Sequence, residues 1–184
     1  MIFHPLEIDG AYCIEPQRIE DRRGFFARTY CRTELEERGL EPTVVQCNVS
    51  VNKYKGTVRG MHWQAAPHHE VKLVRCTSGS IYDVLLDLRP ESPSYKKWVA
   101  VELTRENRFS LYIPGGVAHG FQSLEDDSEV FYQMSEFYHP DLARGVRYND
   151  PAFGIKWKLP VAVVSERDRS FPDFSEAAGA AAEG

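Results

Sequence analysis

The sequence predicts an all-β domain, a sandwich or barrel with a few short helices. Segments rich in Val, Ile, Leu, Tyr and Phe recur along most of the chain, and such segments favour strands. Turn-forming runs, such as S-G-S at 78–80 and P-E-S-P at 90–93, separate them. Many short strands with regular turns are typical of a sandwich or barrel rather than of βαβ units.

Seven segments predict strands, and one short segment predicts a helix. The strands are expected at 25–31, 43–52, 71–77, 81–89, 98–104, 109–114 and 129–138. The helix is expected between the first two of these. Thr33 is predicted to cap its N-terminus, and Glu36 completes a capping box. Gly39 stands where a left-handed residue commonly ends a helix.

Side-chain alternation directs two charged residues toward the interior. Lys72 shares a strand face with Val74 and Cys76, and Asp83 also lies on an apolar face. Buried charges are costly unless they are paired. Lys72 and Asp83 are therefore expected to be partners on adjacent strands, either in a plain buried ion pair or in a functional site.

Length and composition limit the class of protein. The 184 residues fit one domain, expected at 1–174, followed by a disordered tail of Ala, Gly, Glu and Ser at 175–184. The net charge is −5 and no long basic run exists, which argues against nucleic-acid binding. No apolar stretch approaches the roughly 18 residues of a membrane span. The N-terminus lacks a signal pattern, so we expect a cytoplasmic protein. None of the four cysteines forms a C-x-x-C pair, which argues against a zinc ribbon or a redox pair.

Two of the six histidines stand at positions suited to catalysis. His62 follows R-G at 59–60, and His119 follows the P-G-G turn at 114–116. Both lie where a strand is expected to meet a loop, a common location for working side chains. Imidazole titrates near neutral pH, so either residue could act as a general base. His4 and His139 lie in terminal or turn contexts and are expected at the surface.

Three classes of function fit these residues. The first is a metal-dependent cupin such as an oxygenase, whose ligands would come from His62, His68, His69, Glu70 and His119. The motif P-x-G-x-x-H at 114–119 matches half of the cupin metal signature, but Gln64 stands where the other half needs a second histidine. The second is metal-free acid–base catalysis, with a histidine base, Lys72 and a tyrosine acid. The third is a ligand-binding or structural β-domain.

Residues 1 to 172 resemble the dTDP-4-dehydrorhamnose 3,5-epimerase family. The motifs that carry the resemblance follow one another in order and without large gaps: D-x-R-G-F-F at 21–26, Q-x-N at 46–48, V-R-G-M-H-W-Q at 58–64, K-L-V at 72–74, D-V-x-x-D-L-R-x-x-S-P at 83–93, I-P-x-G-x-A-H-G-F at 113–121, N-D-P at 149–151 and S-E-x-D at 165–168. The resemblance implies a cupin-type double-stranded β-helix, or jelly roll. It also implies an isomerase that epimerises a nucleotide 4-keto-6-deoxysugar without metal or organic cofactor.

The resemblance implies a catalytic set of four residues. His62 matches the family's base, Asp168 the carboxylate that orients it, and Tyr132 the acid. Lys72 matches the lysine that faces the C4 oxygen of the sugar. A ketone at C4 makes the hydrogens on C3 and C5 acidic, and a fixed cation beside the oxygen stabilises the enolate. Substrate contacts are implied for eight further positions: Arg23, Phe26, Gln46, Asn48, Arg59, Asp83, His119 and Tyr138.

The resemblance also implies a homodimer in which N-terminal strands cross to the partner, so that Arg23 could act across the interface. Arg23 and Arg59 match arginines that contact the diphosphate, and guanidinium suits phosphate geometry. Arg59 and His62 lie three residues apart, so a regular strand would point their side chains to opposite faces. We therefore expect a bulge near Gly60, or a phosphate held at the rim of the pocket.

Two departures from the family pattern concern the nucleotide side. Arg28 and Ala143 stand where relatives usually have Glu. The nucleotide base therefore stays open at this stage, and so does the choice between inversion at C3, at C5 or at both. The alternative to a 3,5-epimerase of a dTDP-sugar is a single-centre epimerase of another nucleotide sugar, such as a CDP-sugar.

Overall fold

The computed structural model describes residues 1–175, so the tail predicted at 175–184 lies outside the described residues from 176 onward. The prediction of an all-β fold is confirmed. In chain order the strands are β1 Ile2–Pro5, β2 Tyr12–Glu15, β3 Arg18–Asp21, β4 Gly24–Ala27, β5 Gln46–Asn52, β6 Val58–Gln64, β7 Lys72–Ser78, β8 Ser80–Asp87, β9 Trp98–Thr104, β10 Ser110–Ile113, β11 Val117–Ser123, β12 Ser128–Met134 and β13 Ala143–Gly145. The helices are α1 Arg32–Glu36 and α2 Glu166–Ser170, with a single 3₁₀ turn at Pro140–Leu142.

Two antiparallel sheets face each other and form the jelly roll. The six-stranded sheet has the order β1-β2-β10-β7-β12-β5, and the five-stranded sheet has the order β13-β6-β11-β8-β9. The main apolar cluster joins both sheets, with Val74 and Leu111 from the first and Leu85 and Phe121 from the second. Sheets that pack face to face bury their alternating apolar residues in this way.

The hairpin of β3 and β4 forms a separate two-stranded sheet. Seven of its eight strand residues are exposed, and Ile19 and Phe26 are exposed by 68% and 72%. An exposed apolar hairpin of this kind is a common site of protein–protein contact. β5 ends the six-stranded sheet as an open edge, and it exposes Val49 and Val51 by 58% and 55%.

The predicted helix exists, but the prediction of its N-cap is wrong. α1 begins at Arg32 with Cys31 as N-cap and no side-chain capping bond, so Thr33 lies inside the first turn. Glu36 accepts a hydrogen bond from Arg32 Nε at 2.8 Å instead of completing a capping box. The C-terminal prediction is confirmed, because Gly39 has φ +68° and follows the helix as a left-handed residue.

The aspartate of the D-L-R motif organises the turn after β8. Asp87 is fully buried and accepts hydrogen bonds from Arg89 Nε at 2.8 Å, Ser92 Oγ at 2.5 Å and Ser94 Oγ at 2.6 Å. Burial alone would raise the pKa of Asp87, but these hydrogen bonds outweigh it and lower the pKa below its usual value. This motif therefore stabilises the fold and does not line the cavity.

None of the helices within residues 1–175 has the length and apolar character needed to cross a bilayer.

Candidate active site

A cavity of about 840 Å³ lies between the two sheets. Strands β5, β7 and β12 of the six-stranded sheet form one wall, and β6 and β11 of the five-stranded sheet form the other. The segment from Val163 to Asp168 also contributes to its lining. Its volume falls within the range of about 300–1,000 Å³ that is usual for sites that bind small molecules.

His62 on β6 and Asp168 on α2 form a hydrogen-bonded pair at the cavity. The Nε2 atom of His62 lies 2.6 Å from Oδ1 of Asp168, whose other oxygen accepts the Gly60 N–H at 3.2 Å. Ser165 caps α2 by accepting the Asp168 N–H at 3.1 Å, which fixes the carboxylate at the first turn of the helix. Burial alone would raise the pKa of Asp168, but the hydrogen bond and attraction of His62 lower it. The carboxylate thus fixes one ring nitrogen and leaves Nδ1 as the basic atom.

A second histidine–carboxylate pair lies beside the first. His119 and His62 are register partners on neighbouring strands, and Nε2 of His119 lies 2.6 Å from Oδ1 of Asp83. Asp83 is fully buried, and its Oδ2 atom has no hydrogen-bond partner among the described residues. Burial raises the pKa of Asp83 against the opposing effects of His119 and Lys72. Asp83 lies behind the cavity surface, and its hydrogen bond to the cavity is made through His119.

Lys72 points inward as predicted, but the prediction that Asp83 is its direct partner is wrong. Its Nζ atom pairs with Glu70 Oε1 at 2.9 Å and donates to the carbonyl of His62 at 3.1 Å. β7 and β8 follow each other in the chain but belong to different sheets, which separates Lys72 from Asp83. Glu70 was named in the sequence only as a possible metal ligand. The pairing could have been predicted from the spacing: Glu70 and Lys72 are two residues apart, so an extended chain places both side chains on one face.

Tyr132 lies on β12, in the sheet opposite His62. Its ring contacts that of His119 edge to face, with centroids 6.1 Å apart. Burial, and next the charge of Asp83, raise the pKa of Tyr132 well above its usual value. The phenol therefore keeps its proton at neutral pH and can donate it to a strong base such as a carbanion.

Arginines supply positive charge along the cavity. Arg59 lines it and donates from Nε to Asn52 Oδ1 at 2.8 Å. The irregularity expected near Gly60 is confirmed, since Gly60 has φ +111° and the pairing of β6 with β11 shifts register there. Arg144 and Arg167 also line the cavity. Neither residue was predicted from the sequence, although Arg167 is the variable residue of the S-E-x-D motif.

The other residues expected to bind substrate divide into two groups. Gln46, Asn48 and Tyr138 line the cavity, and Gln46 Oε1 accepts the Tyr138 N–H at 2.7 Å. Arg23 and Phe26 lie on the β3–β4 hairpin and do not line the cavity of their own chain. The Arg23 side chain is 90% exposed and pairs with Asp21.

The donor set does not fit the metal centre of a cupin oxygenase. Both cavity histidines, His62 and His119, already engage carboxylates through Nε2. Gln64, at the position where the metal signature needs a histidine, is only 2% exposed, and its amide is used up by backbone hydrogen bonds. A site that offers so few free nitrogen donors is poorly suited to iron or zinc.

Of the two positions that depart from the family pattern, only Ala143 lines the cavity. Arg28 is exposed and pairs with Glu34 at 3.0 Å. Its charge is therefore compensated within the chain, at a distance from the cavity lining.

A jelly roll that holds a histidine–aspartate pair, a lysine and a tyrosine around one cavity defines an isomerase of the cupin class, which works by proton transfer. Residues 5–176 match the family model for dTDP-4-dehydrorhamnose 3,5-epimerase. The chain belongs to the dTDP-4-dehydrorhamnose 3,5-epimerase family.

Individual relatives agree with this assignment. The chain is 40% identical over 177 residues to a dTDP-4-dehydrorhamnose 3,5-epimerase from Sinorhizobium fredii, covering 96% of this chain and 91% of that protein. The crystal structure of an enzyme of that name from Elizabethkingia anophelis NUHP1 matches with a TM-score of 0.92 and 37% identity, covering 95% of this chain and 96% of the other. ChmJ from Streptomyces bikiniensis, a 3'-monoepimerase solved with dTDP-quinovose, matches with a TM-score of 0.86 and 31% identity, covering 92% and 86%.

Proposed function

We propose that this protein epimerises dTDP-4-dehydro-6-deoxy-D-glucose at C3 and C5 to give dTDP-4-dehydro-L-rhamnose. One observation carries the proposal: His62 and Tyr132 stand on opposite sheets, with the cavity between them. Inversion of a carbon requires a base on one side of the sugar ring and an acid on the other. The two facing walls supply that arrangement.

The first step is removal of the proton on C3 or C5. The C4 ketone makes these hydrogens acidic, and Nδ1 of His62 takes one of them. The imidazolium that forms is stabilised by Asp168, whose carboxylate lies 2.6 Å from Nε2. A carboxylate in this position fixes the tautomer of the base and favours its charged form.

The electron pair released from carbon moves onto the C4 oxygen as an enolate. Lys72 stabilises that oxygen, because its ammonium group is held rigidly by Glu70 and by the carbonyl of His62. The lysine side chain is only 7% exposed, and a fixed charge acts more strongly where water is excluded.

The second step returns a proton to the opposite face of the same carbon. Tyr132 donates it from the six-stranded sheet; solvent then takes the proton from the His62 imidazolium and returns one to the Tyr132 phenolate. Repetition of both steps at the other carbon inverts the second centre. The carbon skeleton and oxidation state are unchanged, so the reaction needs no redox cofactor.

The diphosphate is assigned to the arginines of the cavity. Arg59, Arg144 and Arg167 provide positive charge, whereas the lining carboxylates of Glu70 and Asp168 are already paired. Guanidinium groups bind phosphate oxygens through paired hydrogen bonds. The substrate is therefore expected to place its sugar beside His62 and its diphosphate beside this arginine group.

Two further parts of the proposal concern assembly and location. A homodimer with exchanged N-terminal strands is supported by the exposed β3–β4 hairpin and by the open edge of β5. Arg23 would then reach the partner's cavity.

A cytoplasmic location is supported by the four cysteines, all of which are unpaired thiols.

Mixing two inactive variants tests whether Arg23 acts across the dimer. Arg23→Ala and His62→Ala homodimers are mixed, dissociated and allowed to reassociate. If Arg23 serves the partner, each heterodimer contains one intact site, and activity recovers to about a quarter of the wild-type value for random pairing. No recovery while heterodimers form, as shown by mass spectrometry of tagged subunits, would assign Arg23 to its own chain.

Deuterium uptake from D2O tests the reaction itself. The protein is incubated with dTDP-4-dehydro-6-deoxy-D-glucose and, in parallel, with the CDP, GDP and UDP analogues. Incorporation at both C3 and C5 of the dTDP-sugar, followed by NMR, is the expected result, and His62→Ala should abolish it. Absence of exchange at either carbon with all four nucleotides would refute the epimerase assignment.

The second candidate is a single-centre epimerase. It is favoured by the similarity to ChmJ, a 3'-monoepimerase with the same fold. Deuterium at C3 alone, or at C5 alone, in the same experiment would establish this alternative and reject double inversion.

A further inference from the structure

Three side chains outside the catalytic cavity lie close together, beside the cavity-lining residues Gln64 and Tyr138. His68 lies in the loop between β6 and β7, and Glu136 and His139 lie in the segment after β12. One ligand atom from each lies within 4.8 Å of the other two. Among the residues that the structure describes, no other group of three histidine, cysteine or acidic side chains meets this condition. None of the three lines the cavity that holds His62.

We propose that His68, Glu136 and His139 form an accessory binding site for a divalent transition-metal ion, with Zn²⁺ the best match. Two imidazoles and one carboxylate are a common ligand set for zinc, with water as the fourth ligand. Zinc holds such donors at about 2.0–2.2 Å, which places them roughly 3.4 Å apart in a tetrahedron. The ligand atoms lie within 4.8 Å of one another, so binding requires any pair of them to approach by at most about 1.4 Å.

The present contacts keep the donors close together. The rings of His68 and His139 stack with centroids 4.0 Å apart and an interplanar angle of 13°. His68 Nδ1 lies 3.2 Å from Glu136 Oε2. The Phe137 N–H donates to the other carboxylate oxygen, Oε1, at 2.7 Å, which orients Glu136 beside His68. An ionised carboxylate and neutral imidazoles are the forms that bind metal.

A buried glutamine fixes the backbone beneath these donors. Gln64 Nε2 donates to the carbonyl of His68 at 2.6 Å and to that of Phe137 at 3.1 Å. Its Oε1 atom accepts the His139 N–H at 2.8 Å. The two chain segments that supply the ligands are therefore held together by a residue only 2% exposed. Outer contacts that fix the ligands in this way raise metal affinity.

The ion would join two segments at the cavity mouth. Tyr138 lies between Glu136 and His139 in the chain and lines the cavity. A metal bound to residues on both sides of it, and to the facing loop through His68, restricts the motion of that tyrosine. The inference does not rest on the proposed epimerase activity, because binding is measured without substrate.

Titration of the tag-free, chelator-treated full chain tests the site. Zn²⁺ is followed by calorimetry, and Co²⁺ by its visible d–d absorption, which reports nitrogen and oxygen ligands directly. One ion per chain is expected. His139→Ala should weaken the affinity by more than about 100-fold, since loss of even an outer contact of a metal ligand commonly costs 10–100-fold. Glu136→Gln should also weaken it, with circular dichroism showing that both variants are folded.

Two controls locate the ion. His4 is also exposed and lies 3.0 Å from a glutamate, Glu15, so His4→Ala removes a comparable histidine–glutamate pair and should leave the affinity unchanged. His62→Ala tests the cavity, and it should also leave the affinity unchanged. Equal affinity in the wild type and in His139→Ala would refute the site. Loss of binding in His62→Ala would place the ion in the catalytic cavity and would refute it as well.

Discussion

Replacement of Asp168 by asparagine isolates the contribution of its charge to the action of His62. The variant keeps the size of the side chain and an oxygen that can accept the Gly60 N–H, now at 3.2 Å from Asp168 Oδ2. It removes the charge-assisted hydrogen bond to His62, whose length is 2.6 Å. Asp168 is only 3% exposed, so the change leaves the surface available to substrate almost unaltered.

The loss of rate can be estimated in two parts. A hydrogen bond to a charged group contributes about 1.5–3 kcal/mol, which corresponds to roughly 10- to 150-fold in rate. The asparagine amide can also donate to Nε2 of His62, which moves the imidazole proton to Nδ1 and blocks the basic atom. Where a carboxylate orients a catalytic histidine in hydrolases, the same substitution lowers kcat by about 10⁴. We therefore expect kcat to fall by about 10²–10⁴ while KM changes by less than about threefold.

The assay separates proton abstraction from binding. Steady-state turnover gives kcat and KM, and the rate of deuterium incorporation from D2O reports proton exchange at C3 and C5. Both kcat and the exchange rate should fall together. Asp168→Glu, which keeps the charge on a longer side chain, should recover part of the loss. Unchanged kcat in Asp168→Asn, or a change confined to KM, would refute the assignment of Asp168 as the residue that positions His62.

Three further outcomes are expected. Tyr132→Phe should lose inversion while deuterium exchange by His62 persists, as followed by NMR, and full inversion by this variant would show that another residue is the acid. Asp87→Asn should lower the free energy of unfolding at pH 7 by about 1–3 kcal/mol in urea denaturation. Because the folded pKa of Asp87 is lowered from 3.8, its stabilisation is present above about pH 4 and is lost as the pH falls through the folded value, so wild type and variant should converge in acid. Gly60→Ala places a Cβ atom 2.6 Å from the backbone of β11 at φ +111°, and its unfolding temperature should fall more than that of Gly154→Ala, where φ is +59° and no atom lies within 4 Å. Equal losses in the two glycine variants would show that the strained φ, and not the contact, is responsible.

Composition and alternation predicted the fold class well, because β-branched and aromatic residues mark strands that pack on a core. Strands β7, β9 and β10 begin and end within one residue of the predicted bounds. The seven predicted segments did not include β6 and β11, although His62 and His119, which these strands carry, were expected at strand ends. Glycine and histidine interrupt the apolar pattern in both strands, and arginine also interrupts it in β6, since the residues serve the cavity as well as the sheet.

The partners of the buried charges were harder to predict than their burial. The alternation of side chains along a strand correctly predicted that Lys72 and Asp83 point inward. Alternation carries no information about which sheet a strand joins, and in a jelly roll consecutive strands often change sheets. Lys72 therefore meets Glu70 and Asp83 meets His119. Individual residue roles came from the resemblance to a family, since no local rule distinguishes Tyr132 from other strand tyrosines.

The position of Arg23 also lay beyond local rules. Its motif indicates a phosphate contact, yet the residue stands on an exposed hairpin away from the cavity of its own chain. The sequence of one chain does not indicate whether a residue acts in the cavity of its own chain or in that of another copy. Mixing the Arg23→Ala and His62→Ala variants therefore tests which cavity Arg23 serves.

His62 and Tyr132, the proposed base and acid, are anchored to different sheets, so the stereochemistry of the proposed reaction depends on the distance between the sheets. The apolar cluster that includes Val74 and Leu85 fills the space between the sheets and fixes how far apart they stand. A change of volume there would alter the gap across which a sugar must reach both groups, and it would act on Tyr132 directly, because that ring packs against the cluster. Substitutions in the apolar cluster are accordingly a place to search for enzymes that stop after one inversion.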